Sequence, residues 1–455
     1  MSRELSPASR SVYALGDFTV NTALAALSLV YTTYFLTQVA GLRPALAGLV
    51  PLIGRFVDAI SDPAMGRLSD RTTLQGGRRR PYFLLGSLPF GLAFALLWTD
   101  PGVESQGLRF AYFTGIYCLL TLAMTVLSVP YLALIPEMAT DYDDRTSLNT
   151  YRNAGAVLGI FAAIATRPLA QAFGGGSTGF ALTGVVFGVA LGLPWLAVYR
   201  VSFERDEFRN RPVRGHLLSG LRSVLAHRTF SRLTALYLCG RIAMDLSGAM
   251  MILYFSYWIG RSEDFEPTMF LFLACVLLSL PIWLRVARHM EKATVFMVGA
   301  VWWTLAQTIF LIAMPDWPRW LLFAYAPVAA LGYAVVDLMP WAMVGDVIDE
   351  DDVVSGERRE GLYNGVFTFL RKLGGALGVF VALTMLDWAG LGRGDAQPES
   401  ARQMIRWLAG LGPMALLALA ALFARGYPLT RSAHAAILGQ IRERETLARD
   451  PGPTS

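Results

Sequence analysis

At 455 residues the chain is long enough for two or three soluble domains. Yet 54% of it is hydrophobic, only 16% is charged and the mean hydropathy is +0.45, which excludes that reading and points to an all-α polytopic membrane protein. The net charge of +5 is explained by arginines in short loops. No compact basic patch interleaved with exposed aromatics appears, so no nucleic-acid partner is expected.

Met1 to Arg10 is short and polar without a signal-peptide cleavage pattern, so the first apolar span is expected to be retained. A bilayer crossing takes about 20 residues at ~1.5 Å each. On that measure the predicted spans are 12–39, 45–68, 82–98, 108–135, 154–174 and 178–198, then 230–259, 267–287, 293–314, 319–344, 362–388 and 403–425. These twelve helices form two sets of six: an N-terminal half, 1–200, and a C-terminal half, 230–427. A central polar loop, 201–229, joins them and a tail, 428–455, follows. Within the tail, Ala435 to Leu447 alternates apolar and charged residues at helical spacing, which predicts a short surface helix lying against the membrane. Cys118, Cys239 and Cys275 sit inside apolar spans without metal-ligand spacing and read as small core residues.

Arginine placement sets the orientation. Arg71 to Arg80 follow the second span, Arg145 the fourth, and the central loop adds Arg205, Arg209, Arg211, Arg214, Arg222 and Arg228. Arg285, Arg288 and Lys292 follow the eighth span, Arg358 and Arg359 the tenth, and an arginine-rich tail begins at Arg425. The opposite loops balance their arginines with Glu104, Glu263, Asp264, Glu266, Asp316, Asp387 and Asp395. This positive-inside bias predicts both termini in the cytoplasm; the membrane is expected to be a bacterial inner (plasma) membrane.

The second span carries Arg55, Asp58 and Asp62, whose spacings put all three on one helical face. A charge near the bilayer centre costs about 2.5–3.5 kcal/mol on insertion scales, so such residues face a protein interior or a water-filled cavity. One reading is a structural ion pair between Arg55 and one aspartate. The other is a cation site, because one arginine neutralises one carboxylate and leaves the second for Na+, Li+ or a proton. The two halves also echo each other. Val129-Pro-Tyr with Asp141, Asp143, Asp144 and Arg145 beyond it is matched by Met339-Pro-Trp with Asp351, Asp352 and Arg358. Parallel six-helix repeats of this kind build secondary carriers.

These stretches, with Gly16-Asp17-Phe18, Gly76-Gly-Arg-Arg-Arg-Pro81-Tyr and Arg359-Glu-Gly-Leu-Tyr-Asn-Gly-Val-Phe-Thr-Phe-Leu-Arg-Lys372, resemble the glycoside–pentoside–hexuronide:cation symporters of the major facilitator superfamily. The resemblance runs over nearly the whole chain. It implies a twelve-helix major facilitator fold, alternating access and a coupling cation, with no other cofactor and no enzymatic activity. It implies a cation site at Asp58, Asp62, Ser61 and Thr125, with the two aspartates as metal ligands if the ion is Na+. Ser61 stands where the melibiose carrier has asparagine, which leaves Na+ and H+ both open. Lys372 matches the family's helix-eleven lysine and joins Arg55 in the charge network, with Asp58 or Asp62 its natural partner.

The substrate positions implied by the family are Thr22, Ser128 and Arg152, to which Asp337, a carboxylate without a local partner, and Thr368 are added as candidates. Thr22 and Ser128 replace the melibiose carrier's sugar-gripping aspartates, and Leu132 stands where its helix-four tryptophan stacks. A galactoside in that pose is therefore not expected. A different sugar, glycoside or uronide is the primary reading, and a Na+-coupled lysophospholipid carrier is the alternative. Arg241 and Asp245, four apart, are expected to satisfy each other, and Asp17 is read as an interfacial helix-start residue. The Arg78 to Arg80 cluster reads as a cytoplasmic gate and topology anchor.

Rival classes leave weaker traces. His216, His227, His289 and His434 all fall in loops or the tail, so an intramembrane enzyme has no evident base. No Walker motif supports an ATP-driven pump. A channel or non-transporting scaffold has no need of an arginine and two aspartates on one helix face. The expected partners are a small-molecule substrate, a coupling cation and the lipid bilayer, the protein being a monomer.

Overall fold

The computed structural model describes residues 6–72, 74, 76–139, 141–205, 224, 226–356, 359–394 and 396–449. Most of the predicted central loop, including Arg209, Arg211, Arg214 and Arg222, lies outside the described residues, as do Arg358 and Asp395. Among the described residues, eleven helices are long and apolar enough to cross a membrane, and a twelfth, shorter one is equally apolar. In chain order they are α1 Pro7–Val39, α2 Pro44–Arg71, α3 Pro81–Leu97, α4 Gln106–Met138, α5 Asp143–Ala172 and α6 Gly176–Val201. The series continues with α7 Arg228–Trp258, α8 Ser262–Val286, α9 Lys292–Ile312, α10 Arg319–Ser355, α11 Glu360–Trp388 and α12 Glu399–Arg425. α13, Arg431–Arg449, ends the described chain.

The helices form two compact units. One comprises 1–213 with 248–266 and 379–405; the other comprises 214–247, 267–378 and 406–455. In the first unit α1 packs on α5, α2 on α4, and α3 on α4 and α6. The α1–α5 contact is backbone against backbone, because Gly155 and Gly159 present no side chain there. A Cβ on Gly155 would sit 2.5 Å from the Ala14 carbonyl oxygen. An aromatic core of Tyr31, Phe35, Trp98, Phe113 and Phe180 fills the space beside α1, with Trp98 stacked on Phe180 at 5.6 Å between ring centroids. In the second unit α9 packs on α10 and α12.

Two helices extend well past the predicted spans, and for the same reason. α5 was expected from residue 154 but is helical from 143. Asp141 caps it by accepting the Asp143 amide at 3.0 Å, and Asp143 and Asp144 suit the positive end of the helix dipole. Asp144 also pairs with Arg10 of α1 at 2.5 Å. α10 was expected to stop near 344 but runs to Ser355, where Gly356 adopts φ 72°. Its acidic end stays helical because each carboxylate meets a partner: Asp346 with Lys292 at 2.7 Å, Asp351 with Arg359 at 2.6 Å, and Asp352 with Arg444. Polar composition had marked both stretches as loop.

The tail is helical as predicted, and α13 packs against α10. His434 Nε2 lies 3.0 Å from Asp349, and the Arg431 amide donates to Glu291 at 2.8 Å. Nearby, burial pushes the Tyr427 phenol up, with Asp346 and Glu350 adding to the effect.

In the first unit the basic turn after α2 is an ion-pair hub. Arg79 pairs with Asp70 at 2.6 Å and also with Glu137, and Arg78 reaches Glu137 at 2.5 Å. The Glu204 carboxylate accepts the amides of Arg78, Arg79 and Arg80 at 2.9, 2.8 and 3.0 Å. Gly77, at φ +108°, makes this cradle possible, since a Cβ there would lie 2.6 Å from Glu204 Oε1.

The glycine-dependent contact is testable. Gly155→Leu is expected to lower the melting temperature of the purified protein, followed by tryptophan fluorescence, as overpacking of about 1–3 kcal/mol implies. Gly115→Ala, where a Cβ meets nothing within 4 Å, is expected to leave it unchanged.

Candidate functional site

In α2 the residues Asp62 and Ser61 meet Thr125 of α4, with Arg55 and Asp58 on the turns before them. Winding at 3.6 residues per turn carries Arg55, Asp58, Ser61 and Asp62 along one side of the helix. Thr125, buried on α4, donates its hydroxyl to Asp62 Oδ1 at 2.8 Å, and Ser61 Oγ lies 3.1 Å from Thr125 Oγ1. Arg55 Nη1 donates to Asp58 Oδ2 at 3.0 Å, with the two side chains 24% and 14% exposed. Asp62, Ser61 and Thr125 thus come together as a carboxylate and two hydroxyls, the oxygen donors a hard cation takes. Asp58 is placed one turn before them, engaged by Arg55.

Arg152 has a partner that the sequence reading missed. Its guanidinium grips Asp17 with two hydrogen bonds, Nε to Oδ2 at 2.7 Å and Nη2 to Oδ1 at 3.1 Å. Tyr131 donates its hydroxyl to Asp17 Oδ2 at 2.7 Å, and Arg152 Nη1 donates to Asn149 at 2.8 Å. Tyr13 stacks on Tyr131 and donates to the Tyr131 carbonyl oxygen at 2.7 Å. Asp17 is therefore no helix-start residue: α1 begins at Pro7 behind a Ser6 cap, and Asp17 stands well inside it, holding α5. A signal existed. Neither Asp17 nor Arg152 has a charged residue three or four positions away in its own helix, so each needs a partner on another one.

The other implied substrate positions differ in setting. Thr22 is fully buried, and its hydroxyl donates to Phe18 O at 2.7 Å on its own helix. Ser128 is partly exposed one turn before Leu132, which is exposed. In the second unit, Arg241 pairs with Asp245 as expected, through Nε to Oδ2 at 3.1 Å and a second bond from Nη2. Asp337, which has no partner along its own helix, lies with Oδ1 3.5 Å from Arg241 Nη1 of α7, and its side chain is 44% exposed. Linear spacing conceals this pairing because the two residues are on different helices. Thr368 and Lys372 are partly buried, one turn apart on α11.

The Asp17–Arg152 pair makes a prediction about stability. Removing one member of a buried pair costs about 3–5 kcal/mol, because the other is left uncompensated. Arg152→Gln is expected to melt well below the wild type, and the double change Asp17→Asn with Arg152→Gln to recover most of the loss, as read by thermal unfolding. Equal melting of single and double variants would mean the pair carries no coupling.

With this geometry in view, comparison with known proteins is informative. An uncharacterised symporter of Synechocystis is 29% identical, over 95% of this chain and 96% of its own. A putative sulfoquinovose importer of Escherichia coli is 26% identical, over 95% and 93% respectively. The sodium-dependent lysophosphatidylcholine symporter 1-B of Danio rerio is 26% identical, over 97% and 91%. Among solved structures, an inward-facing bacterial homolog of the human lysosomal transporter Spinster matches with a TM-score of 0.69 at 13% identity, covering 95% of this chain and 98% of that one. The nucleoside transporter NupG matches at 0.66 and 13%, covering 93% and 100%. At such identities the structures speak to the fold alone, and the fold is that of the major facilitator transporters. A family model described as MFS/sugar transport protein matches residues 12–431. The chain, a multi-pass membrane transporter, belongs to the MFS/sugar transport protein family.

Proposed function

We propose that this transporter is a cation-coupled symporter working by alternating access, driven by Na+ or H+, with a sugar, glycoside or uronide as its substrate. The observation that carries the proposal is the gathering of Asp62, Thr125 and Ser61 at 2.8–3.1 Å beside the Arg55–Asp58 pair. Taking up a proton or a monovalent cation there changes the charge of a low-dielectric site, which is what a coupling ion has to do. In this reading Asp58 and Asp62 are the ion's carboxylate ligands, with hydroxyl oxygens from Ser61 and Thr125. Arg55 and Lys372 are the fixed positive charges of the network. Substrate is handled by Ser128 and Arg152, with Thr22 beneath them, in the first unit and by Asp337 and Thr368 in the second.

A sugar-type substrate is supported by the family description and by relatives named as a sulfoquinovose importer and a glycoside/cation symporter. A lysophospholipid is the second reading, supported by the similarity to the Danio rerio protein. The two halves of the predicted twelve-helix plan are proposed to be the moving bodies, in a bacterial inner membrane with both termini cytoplasmic and the protein a monomer.

Asp58→Ala and Asp62→Ala are each expected to abolish concentrative uptake into proteoliposomes under an imposed Na+ or H+ gradient, while exchange of substrate across the membrane persists. Full concentrative uptake by both variants would remove the site from consideration. For orientation, a phosphatase reporter fused after Ser455 is expected to be inactive, since that enzyme matures only outside the cytoplasm, and a fluorescent reporter at the same place to be bright.

A further inference from the structure

α7 and α11 run in register through the second unit. Phe230 meets Tyr363 edge-on at 4.9 Å, and Tyr237 stacks on Phe367 at 4.3 Å. Two turns on, Asp245 lies against Gly375, where a Cβ would collide with its Oδ2. Steps of four residues connect these contacts on both helices: Tyr237, Arg241, Asp245 on α7 and Phe367, Arg371, Gly375 on α11. Arg371 is bracketed by two residues that face α7, which puts it on the same side and at the level of Arg241. The Arg371 and Asp337 charges both lie near the Tyr237 and Tyr333 hydroxyls.

The arginines of the membrane-spanning clusters are not equivalent. Arg152 is held by both oxygens of Asp17, Arg241 by both oxygens of Asp245, and Arg55 by Asp58. Among the described residues, no carboxylate lies within ion-pairing distance of Arg371, and its Nε is buried without a hydrogen-bond acceptor from the protein. Asp337 Oδ1, in the same cluster, has Arg241 Nη1 at 3.5 Å as an ion-pair contact but receives no hydrogen bond, and the side chain as a whole is 44% exposed. Buried polar atoms are nearly always satisfied, and an arginine inside a membrane protein without a carboxylate is costly. A ligand that supplies an acid group to one and hydroxyl donors to the other meets both needs.

We propose that Arg371 is a substrate-binding residue that grips the acid group of a sugar acid, while Asp337 accepts hydrogen bonds from its hydroxyls. This rests on the sugar-transport reading above and deepens it. Arg152, the other arginine proposed to handle substrate, has its charge already answered by Asp17, which leaves the acid group to Arg371. The competing structural role for Arg371 is long-range balance of the Asp337 charge. That role affects charged and neutral sugars alike, which separates the two.

The test is uptake and ligand-induced thermal stabilisation in the full-length protein, with D-glucuronate and D-galacturonate set against D-glucose and D-galactose. Each is measured with Na+ and with an H+ gradient. Wild-type protein is expected to favour the acids. Arg371→Gln is expected to lower the acid-to-neutral selectivity about tenfold or more, the loss of one charge-assisted hydrogen bond. Arg371→Lys is expected to restore part of it, and Gly115→Ala, where a Cβ meets nothing within 4 Å, to leave the selectivity as it is. Unchanged selectivity in Arg371→Gln, a wild-type preference for neutral sugars, or stabilisation by lysophosphatidylcholine in place of sugars overturns the assignment. If neither sugars nor lysophosphatidylcholine are carried under either gradient, the symport reading falls as well, and the inference with it.

Discussion

A charge inside a hydrocarbon layer has to be answered by protein, and in this chain the answer comes from the same helix, as for Arg55 and Asp58, or from a neighbouring one, as for Asp17 and Arg152. Asp17 of α1 and Arg152 of α5 meet as a two-bond pair because Gly155 lets the two backbones touch just beside them. In the second unit a glycine again makes room for a charge, though the ion pair lies within one helix. Asp245 reaches Arg241 on its own helix and fits only because Gly375 of α11 leaves room for its carboxylate. Close helix approach and charge neutralisation are thus one design, since the small residues that permit the first also make room for the second.

This constraint separates saturated clamps from the cluster proposed to bind the cation. A carboxylate that takes both hydrogen bonds of an arginine and a tyrosine hydroxyl besides, as Asp17 does, is saturated and holds helices together. The α2–α4 site is of another kind. There a carboxylate faces hydroxyls, which can turn between donating to it and offering their oxygens to an ion. A threonine and a serine beside Asp62 give that flexibility at small conformational cost, where a second arginine would lock the site. The charge of such a site is free to respond to its occupant, and differential affinity for a ligand in two states is what lets a ligand shift a conformational equilibrium.

Much of this was legible in the sequence. Twelve apolar spans, the arginine bias and the three ionisable residues on α2 followed from hydropathy and helical periodicity, and the observed helices begin and end close to the predicted spans. The failures share a cause. The first turns of α5 and the last turns of α10 were read as loop because they are polar, yet polar helix is stable wherever ion pairs cover it, as Lys292, Arg359 and Arg444 do for α10. Likewise, Asp17 and Asp337 were assigned from their own helices, and their partners are on others.

The sequence by itself determined the class, the helices and the composition of the α2 site, because these depend on the chain's local pattern: hydrophobic run length and the 3.6-residue repeat. Pairing between helices was left to the tertiary structure. Nothing in linear spacing says that residue 17 meets residue 152, that residue 241 stands between residues 245 and 337, or that Arg371 lies at the level of Arg241. Those contacts follow from which helices pack and in what register, and packing is set by the glycines and aromatics of the whole interface rather than by the charged residues that use it.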